Sequence, residues 1–205
     1  MSWASFIGVL KDIVVVVAPA TGAIVAVKGL GTWKRQLKGQ SDYNLAKEVL
    51  INLFKYRDAL YFVRNPLMTE QELKLPEGKD PAEMNFSESR YLRTLTAYQN
   101  RWDNVLDNRA KLQTNIIEME VLWGEEFTSQ LMSLFRKEQD LLFQVEYYLR
   151  LVNPAIHGDD KKFERDNLDR KMLYDTMKDD TDKFRISFKE TLDPLQNSLR
   201  DKLKK

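Results

Sequence analysis

An apolar run near the start of this chain limits its possible folds more than any other feature. Residues 13–33 read IVVVVAPATGAIVAVKGLGTW, with Lys28 as the single charge. The chain then turns basic at Lys34, Arg35 and Lys38. These 21 residues, in helical form, match a hydrocarbon core of roughly 30 Å at about 1.5 Å per residue. Lys28 sits near one end, where its stem reaches the headgroups, and Trp33 suits the interfacial belt. Two other readings compete. A buried core helix rarely carries valines on every face, and a cleaved signal peptide ending at Ala18-Pro19-Ala20 fits poorly with Lys11-Asp12 before its core. The pattern predicts one membrane-spanning helix.

The flanks predict an orientation. Lys28, Lys34, Arg35 and Lys38 follow or end the run, and Lys11 alone precedes it. Positive residues stay cytoplasmic. The expectation is a single-pass protein of the inner (cytoplasmic) membrane with its C-terminal domain in the cytoplasm. The chain has no cysteine, which suits a reducing compartment without requiring one. Trp3, Phe6, Ile7 and Leu10 share one helical face, as an interfacial helix or an outward continuation of the membrane helix. Ala18, Gly22 and Ala26 recur every fourth residue, a spacing that lets two helix backbones approach closely.

Charge divides the sequence into residues 1–40, a membrane anchor with a basic flank, and residues 41–205, a cytoplasmic helical bundle. The first part carries five bases against Asp12, whereas the whole chain is only +1. The second part is therefore slightly acidic, with both signs interleaved. A nucleic-acid binder would concentrate positive charge there, so nucleic acid is not the expected partner. Membrane lipid is, together with a second copy or another membrane or cytoplasmic protein. The tail from Arg200 to Lys205 is basic and could join Lys34, Arg35 and Lys38 in a collar facing the lipid.

The second part reads as helix throughout: an all-α chain, the membrane helix followed by an antiparallel bundle of about four long helices. Ser41 is a candidate N-cap for a helix marked by Leu45, Val49, Leu50, Leu53, Phe54, Leu60 and Tyr61 and ending at Asn65-Pro66. Thr69 and Glu72 suit a capping box in the connection that follows. Asp80-Pro81-Ala82-Glu83 predicts the next start. One seam in that helix runs Leu92, Leu95, Gln99, Trp102, Leu106, Arg109, Gln113, Ile116, Glu120 and Trp123. Tyr98, Val105, Leu112 and Met119 form a parallel stripe. Gly124 predicts a break. The third helix runs through Leu131, Phe135, Glu138, Leu142, Val145, Leu149 and Val152 to Asn153-Pro154. The fourth follows the charged stretch 159–170, passing Leu173, Met177, Phe184, Phe188 and Leu192. Asp193-Pro194 predicts a kink or a restart, with Leu195 and Leu199 carrying the stripe onward.

No enzyme signature stands out. The chain lacks a phosphate-cradling glycine loop and a cysteine nucleophile, and its single histidine rules out His-pair metal motifs. No cofactor and no metal are expected. The acid pairs Glu118/Glu120, Glu125/Glu126 and Asp159/Asp160 read as solvated faces. Tyr147 and Tyr148, being adjacent, cannot both point into one core.

Arg150, Asn153 and His157 lie together at a predicted helix end. This arrangement resembles the arginine–histidine motif of HEPN ribonucleases, helical bundles in which those two residues act on the RNA phosphodiester. The resemblance implies Arg150 and His157 as catalytic candidates. Pro154 departs from the helical geometry usual there, and Leu151 stands where asparagine often follows the arginine. The alternative reading is a helix terminus with Asn153 as its stop.

Three functions remain open on the sequence. The leading one is a membrane-anchored bundle acting by protein–protein binding or self-assembly. The second is a membrane effector, of a defence or toxin type, whose oligomerised N-terminal helices perturb the bilayer. The third is a HEPN-like ribonuclease.

Overall fold

The computed structural model describes the backbone of residues 3–177 and 181–204 and the side chains of residues 26–177 and 181–204. Among these residues all regular structure is helical. The helices are α1 (Trp3–Val63), α2 (Phe86–Trp123), α3 (Glu125–Val152), α4 (Gly158–Asn167), α5 (Arg170–Leu173) and α6 (Lys183–Leu203), with a 3₁₀ turn at Pro81–Glu83. The chain divides into two compact units, Met1–Asn44 and Leu45–Lys204.

In the second unit, residues 45–63 of α1 present Leu45, Val49, Leu53, Tyr56, Leu60 and Val63 to the core. Steps of three and four keep these side chains on one face. The α2 stripe is Tyr98, Arg101, Val105, Asn108, Leu112, Asn115 and Met119, all buried. Asn115 donates to Glu48 on α1 at 3.0 Å, and Arg101 donates to the Asn65 carbonyl beyond the end of α1 at 2.6 Å. Numbers rise along α1 as they fall along α2, so the two are antiparallel. Tyr98 against Tyr148 and Trp123 against Phe127 make α2 and α3 antiparallel in the same way. On α6, Phe188 meets Tyr61, and Lys202 lies over Trp123 and Phe127. Phe184, Phe188, Leu192, Leu195 and Leu199 bury its apolar face.

Several expectations change. Ser41 lies inside α1 and caps nothing; the helix runs through it without interruption. Asp80 caps only the 3₁₀ turn, accepting from the Ala82 N–H. The α2 start moves to Asn85, which forms a reciprocal capping box with Glu88. The Tyr98 stripe of α2 is buried as expected, while of the other seam's apolar residues only Trp102, Ile116 and Trp123 pack half-buried against the core and Leu106 is 45% exposed. Residues 158–173 fold into α4 and α5, making six helices among the described residues instead of one membrane helix plus four. Met177 adopts a positive φ of 56° and is exposed, so the chain turns where a continuous stripe was expected. The α6 helix continues through Pro194.

Other expectations hold. Gly124 separates α2 from α3 with φ 88°, a region few residues other than glycine occupy. Asn65 and Asn153 stop α1 and α3 by one mechanism. Each side-chain oxygen accepts the N–H two residues on, from Leu67 at 3.0 Å and Ala155 at 2.9 Å. The Thr69–Glu72 box forms as a single turn.

Among the described residues no helix is long and apolar enough to cross a membrane. Most of the apolar run, residues 13–25, lies outside the described side chains. So do Trp3, Phe6, Ile7, Leu10, Ala18 and Gly22, and Lys205 lies outside the described residues altogether.

Candidate functional surfaces and the buried polar network

The stretch of α1 from Ala26 to Lys38 is exposed at every residue. It carries Val27, Leu30, Trp33 and Leu37, between 53% and 70% exposed. Lys28, Lys34, Arg35 and Lys38 lie among them. A Cβ built at Gly29, Gly31 or Gly39 would meet nothing within 4 Å. Of the predicted membrane contacts, Ala26, Trp33, Lys34, Arg35 and Lys38 thus lie on a helix with every face open.

The bundle interior, by contrast, spends its charges internally. Burial pushes the Tyr56 phenol far above its ordinary range, and the neighbouring Glu138 carboxylate adds to this. The phenol stays protonated and donates to Glu138 Oε2 at 2.6 Å. Arg109 donates to the other oxygen at 2.9 Å and stacks on Phe135. Three helices, α1, α2 and α3, thus meet on one buried carboxylate. A carboxylate with both oxygens engaged avoids the penalty of an unpaired buried charge.

Two arginines close the bundle end where α1 stops. Arg101 donates to the carbonyls of Asn65 and Leu67 at 2.6 and 2.7 Å and to Glu72 Oε1 at 2.6 Å. It staples the chain after α1 onto α2, and its hydrogen bond holds Glu72 below the usual carboxylate range. Arg64 donates to the carbonyls of Lys171, Met172 and Tyr174 and to both oxygens of Asp182. Burial alone would raise Asp182. Hydrogen bonds from Arg64 and from the Arg185 and Thr176 N–H groups outweigh that and lower it. Arg185 pairs with Asp175, at 2.6 Å. The α5–α6 connection is thereby fixed to the α1 terminus. Tyr98 and Tyr174, raised chiefly by burial, complete the cluster with Tyr148.

Arg150 occupies the last turn of α3, with its Nε 2.8 Å from Oε1 of the fully buried Glu164 on α4. The pair is close but misaligned, and neither Glu164 oxygen accepts a hydrogen bond. His157 stands at the N-cap of α4, exposed, and its side chain makes no capping bond. Arg64, close in sequence to the Asn65-Pro66 stop of α1, is entirely enclosed and contributes to no exposed polar site. Both tyrosines of the 147–148 pair find partners: Tyr148 faces Tyr98 and Tyr174, while α4 brings Phe163 against Tyr147. The acid pairs at 118/120, 125/126 and 159/160 are exposed, and no acid or histidine cluster among the described residues could hold a metal ion.

Arg101, Asn108 and Asn115 are core members that no apolar periodicity marks. Their signal was present, one polar residue every seventh position beside the apolar stripe. The chain matches no known family model, no curated protein and no solved structure.

Proposed function

We propose that this protein is a membrane-anchored helical bundle. Its N-terminal helix holds it as a single pass in the inner membrane, with the bundle on the cytoplasmic side, and it acts by binding a second copy or another protein there. The observation that supports this is the open stretch of α1. An uncovered helix is marginal in water even with good formers, and each glycine costs about 1 kcal/mol relative to alanine. Gly29, Gly31 and Gly39 make this stretch poorly suited to stand alone in water. Lipid below and a protein partner above would supply the missing contacts. The exposed leucines and Trp33, bordered by cations without a nearby acid run, suit that setting.

Extraction of membranes at alkaline pH tests the anchor. The full chain should remain in the pellet; release into the supernatant would reject it. Because the chain lacks cysteine, single substitutions such as Leu37→Cys and Arg35→Cys report partner contact cleanly. Disulfide dimers at position 37 but not 35 are expected for self-assembly through the apolar face. No crosslink at any position from 26 to 44 would leave a different protein as the partner.

A further inference from the structure

We infer that the concavity between α3, α5 and α6 is a binding site for a phosphomonoester-type anion. Lys137, Lys171, Lys183 and Ser187 border it over a floor of Met172 and Phe184, and its volume is about 200 Å³. That is below the roughly 300–1,000 Å³ of pockets that hold whole drug-sized ligands. An ionic headgroup is the appropriate size.

The lysines of this concavity differ from the arginines that tie the bundle together. Arg64, Arg101, Arg109, Arg150 and Arg185 each have a carboxylate within 2.6–2.9 Å. Lys137, Lys171 and Lys183 share one concavity, yet none is ion-paired among the described residues. Two acids also line it. Asp169 commits its carboxylate to capping α5, accepting from the N–H groups of Lys171 and Met172. Asp169 keeps its charge and Asp140 is exposed, so three ammonium groups stand against two carboxylates and the lining is net positive by one. Like charges around one hollow repel, and a bound anion turns that repulsion into attraction.

A donor other than lysine is also present. The Ser187 hydroxyl makes no hydrogen bond among the described residues. The first turn of α6, Lys183 and Phe184, forms one rim, while the Asp182 carboxylate caps that helix end from within the bundle. Behind the floor lies Arg64, stacked 4.5 Å from the Phe184 ring and bonded to the Met172 carbonyl. Arg64 does not line the hollow, and its charge there is matched by Asp182. Tetrahedral oxyanions with two negative charges suit several separate donors better than a carboxylate does.

The test is titration calorimetry on the full chain in a neutral maltoside detergent, with inorganic phosphate against a chloride background of equal ionic strength. Saturable binding by the wild type is expected, weakened at least tenfold in the Lys171→Gln/Lys183→Gln double variant. Both lysines are exposed, so the variant's thermal midpoint in chloride should equal that of wild type. If it does not, Lys137→Gln and Ser187→Ala, each expected to weaken binding several-fold, replace it. General salting-out stabilisation would act on all variants alike. Glycerol phosphate and phosphatidic acid in mixed micelles then separate the sources. Competition by the first identifies a soluble ester, and binding of the second alone identifies a lipid headgroup. Equal phosphate affinity in wild type and variants, or no saturable binding of any of the three probes, overturns the site.

Discussion

Asp182 grips Arg64 with both carboxylate oxygens, at 3.0 and 2.9 Å, across 118 residues of sequence and with both side chains fully enclosed. The same carboxylate caps α6 through the Arg185 N–H at 3.0 Å. One acid therefore joins the end of α1 to the start of the last helix.

Asp182→Ala should destabilise the bundle by about 3–5 kcal/mol, because it leaves a buried guanidinium without its counter-charge. A thermal midpoint within a degree of wild type would show that Arg64 finds another partner.

Acid should act on the same contact. Asp182 and Glu72 are held below their ordinary values, which are about 3.9 and 4.3. For a depressed carboxylate the stabilisation is complete above the unfolded value and disappears as pH falls through the folded one. Denaturant midpoints should be flat from neutrality to about pH 5 and fall steeply below about pH 4. Asp182→Asn with Glu72→Gln should flatten that fall. An unchanged acid limb in the double variant would place the sensitive groups elsewhere.

The Tyr56–Glu138 contact, at 2.6 Å, should show coupling in a double-mutant cycle. Tyr56→Phe alone should cost about 1–3 kcal/mol by leaving one carboxylate oxygen unsatisfied. With Glu138→Gln also present the two losses should not add. Strict additivity would mean the hydroxyl contributes nothing through Glu138.

Two leucines on α2 test which stripe is the core. Leu112 is fully buried and Leu106 is 45% exposed. Leu112→Ala should cost about 2–5 kcal/mol, and Leu106→Ala about 0.5 or less. Comparable losses would contradict the helix rotation described here.

Glycines should respond with opposite signs. Gly39 lies within α1 with open space around it, while Gly124 holds φ at +88°. Gly39→Ala should raise helical content and stability by about 0.5–1 kcal/mol. Gly124→Ala should lower stability by about 1–2 kcal/mol, since an L residue is strained there. Circular dichroism during thermal melting reads both; equal signs would be inconsistent with the geometry.

Local chemistry alone determined much of this protein. Asn-Pro at 65–66 and 153–154, glycine at 124 and the Thr69–Glu72 box each act within a few residues, so helix ends at Val63, Trp123 and Val152 were legible. Apolar spacing likewise marked the faces of α3 and α6. Other features depended on contacts distant in sequence. Ser41 had good capping chemistry but sits inside a helix, because the backbone gains a further hydrogen bond at each residue it adds. On α2 the apolar stripe of Tyr98, Val105, Leu112 and Met119 was legible, but Arg101, Asn108 and Asn115 beside it look solvent-facing until their partners are known. Those partners include Glu72 and Glu48, supplied by other segments. The candidate anion site follows the same rule. Lys137, Lys171 and Lys183 are scattered in sequence, and only the docking of α5 and α6 on α3, fixed by Arg64 and Asp182, places them around one hollow. Periodicity and turn residues set the helices; the rotation of each helix and the pairing of its buried charges required the tertiary structure, because burying a charge is favourable only once its partner is in place.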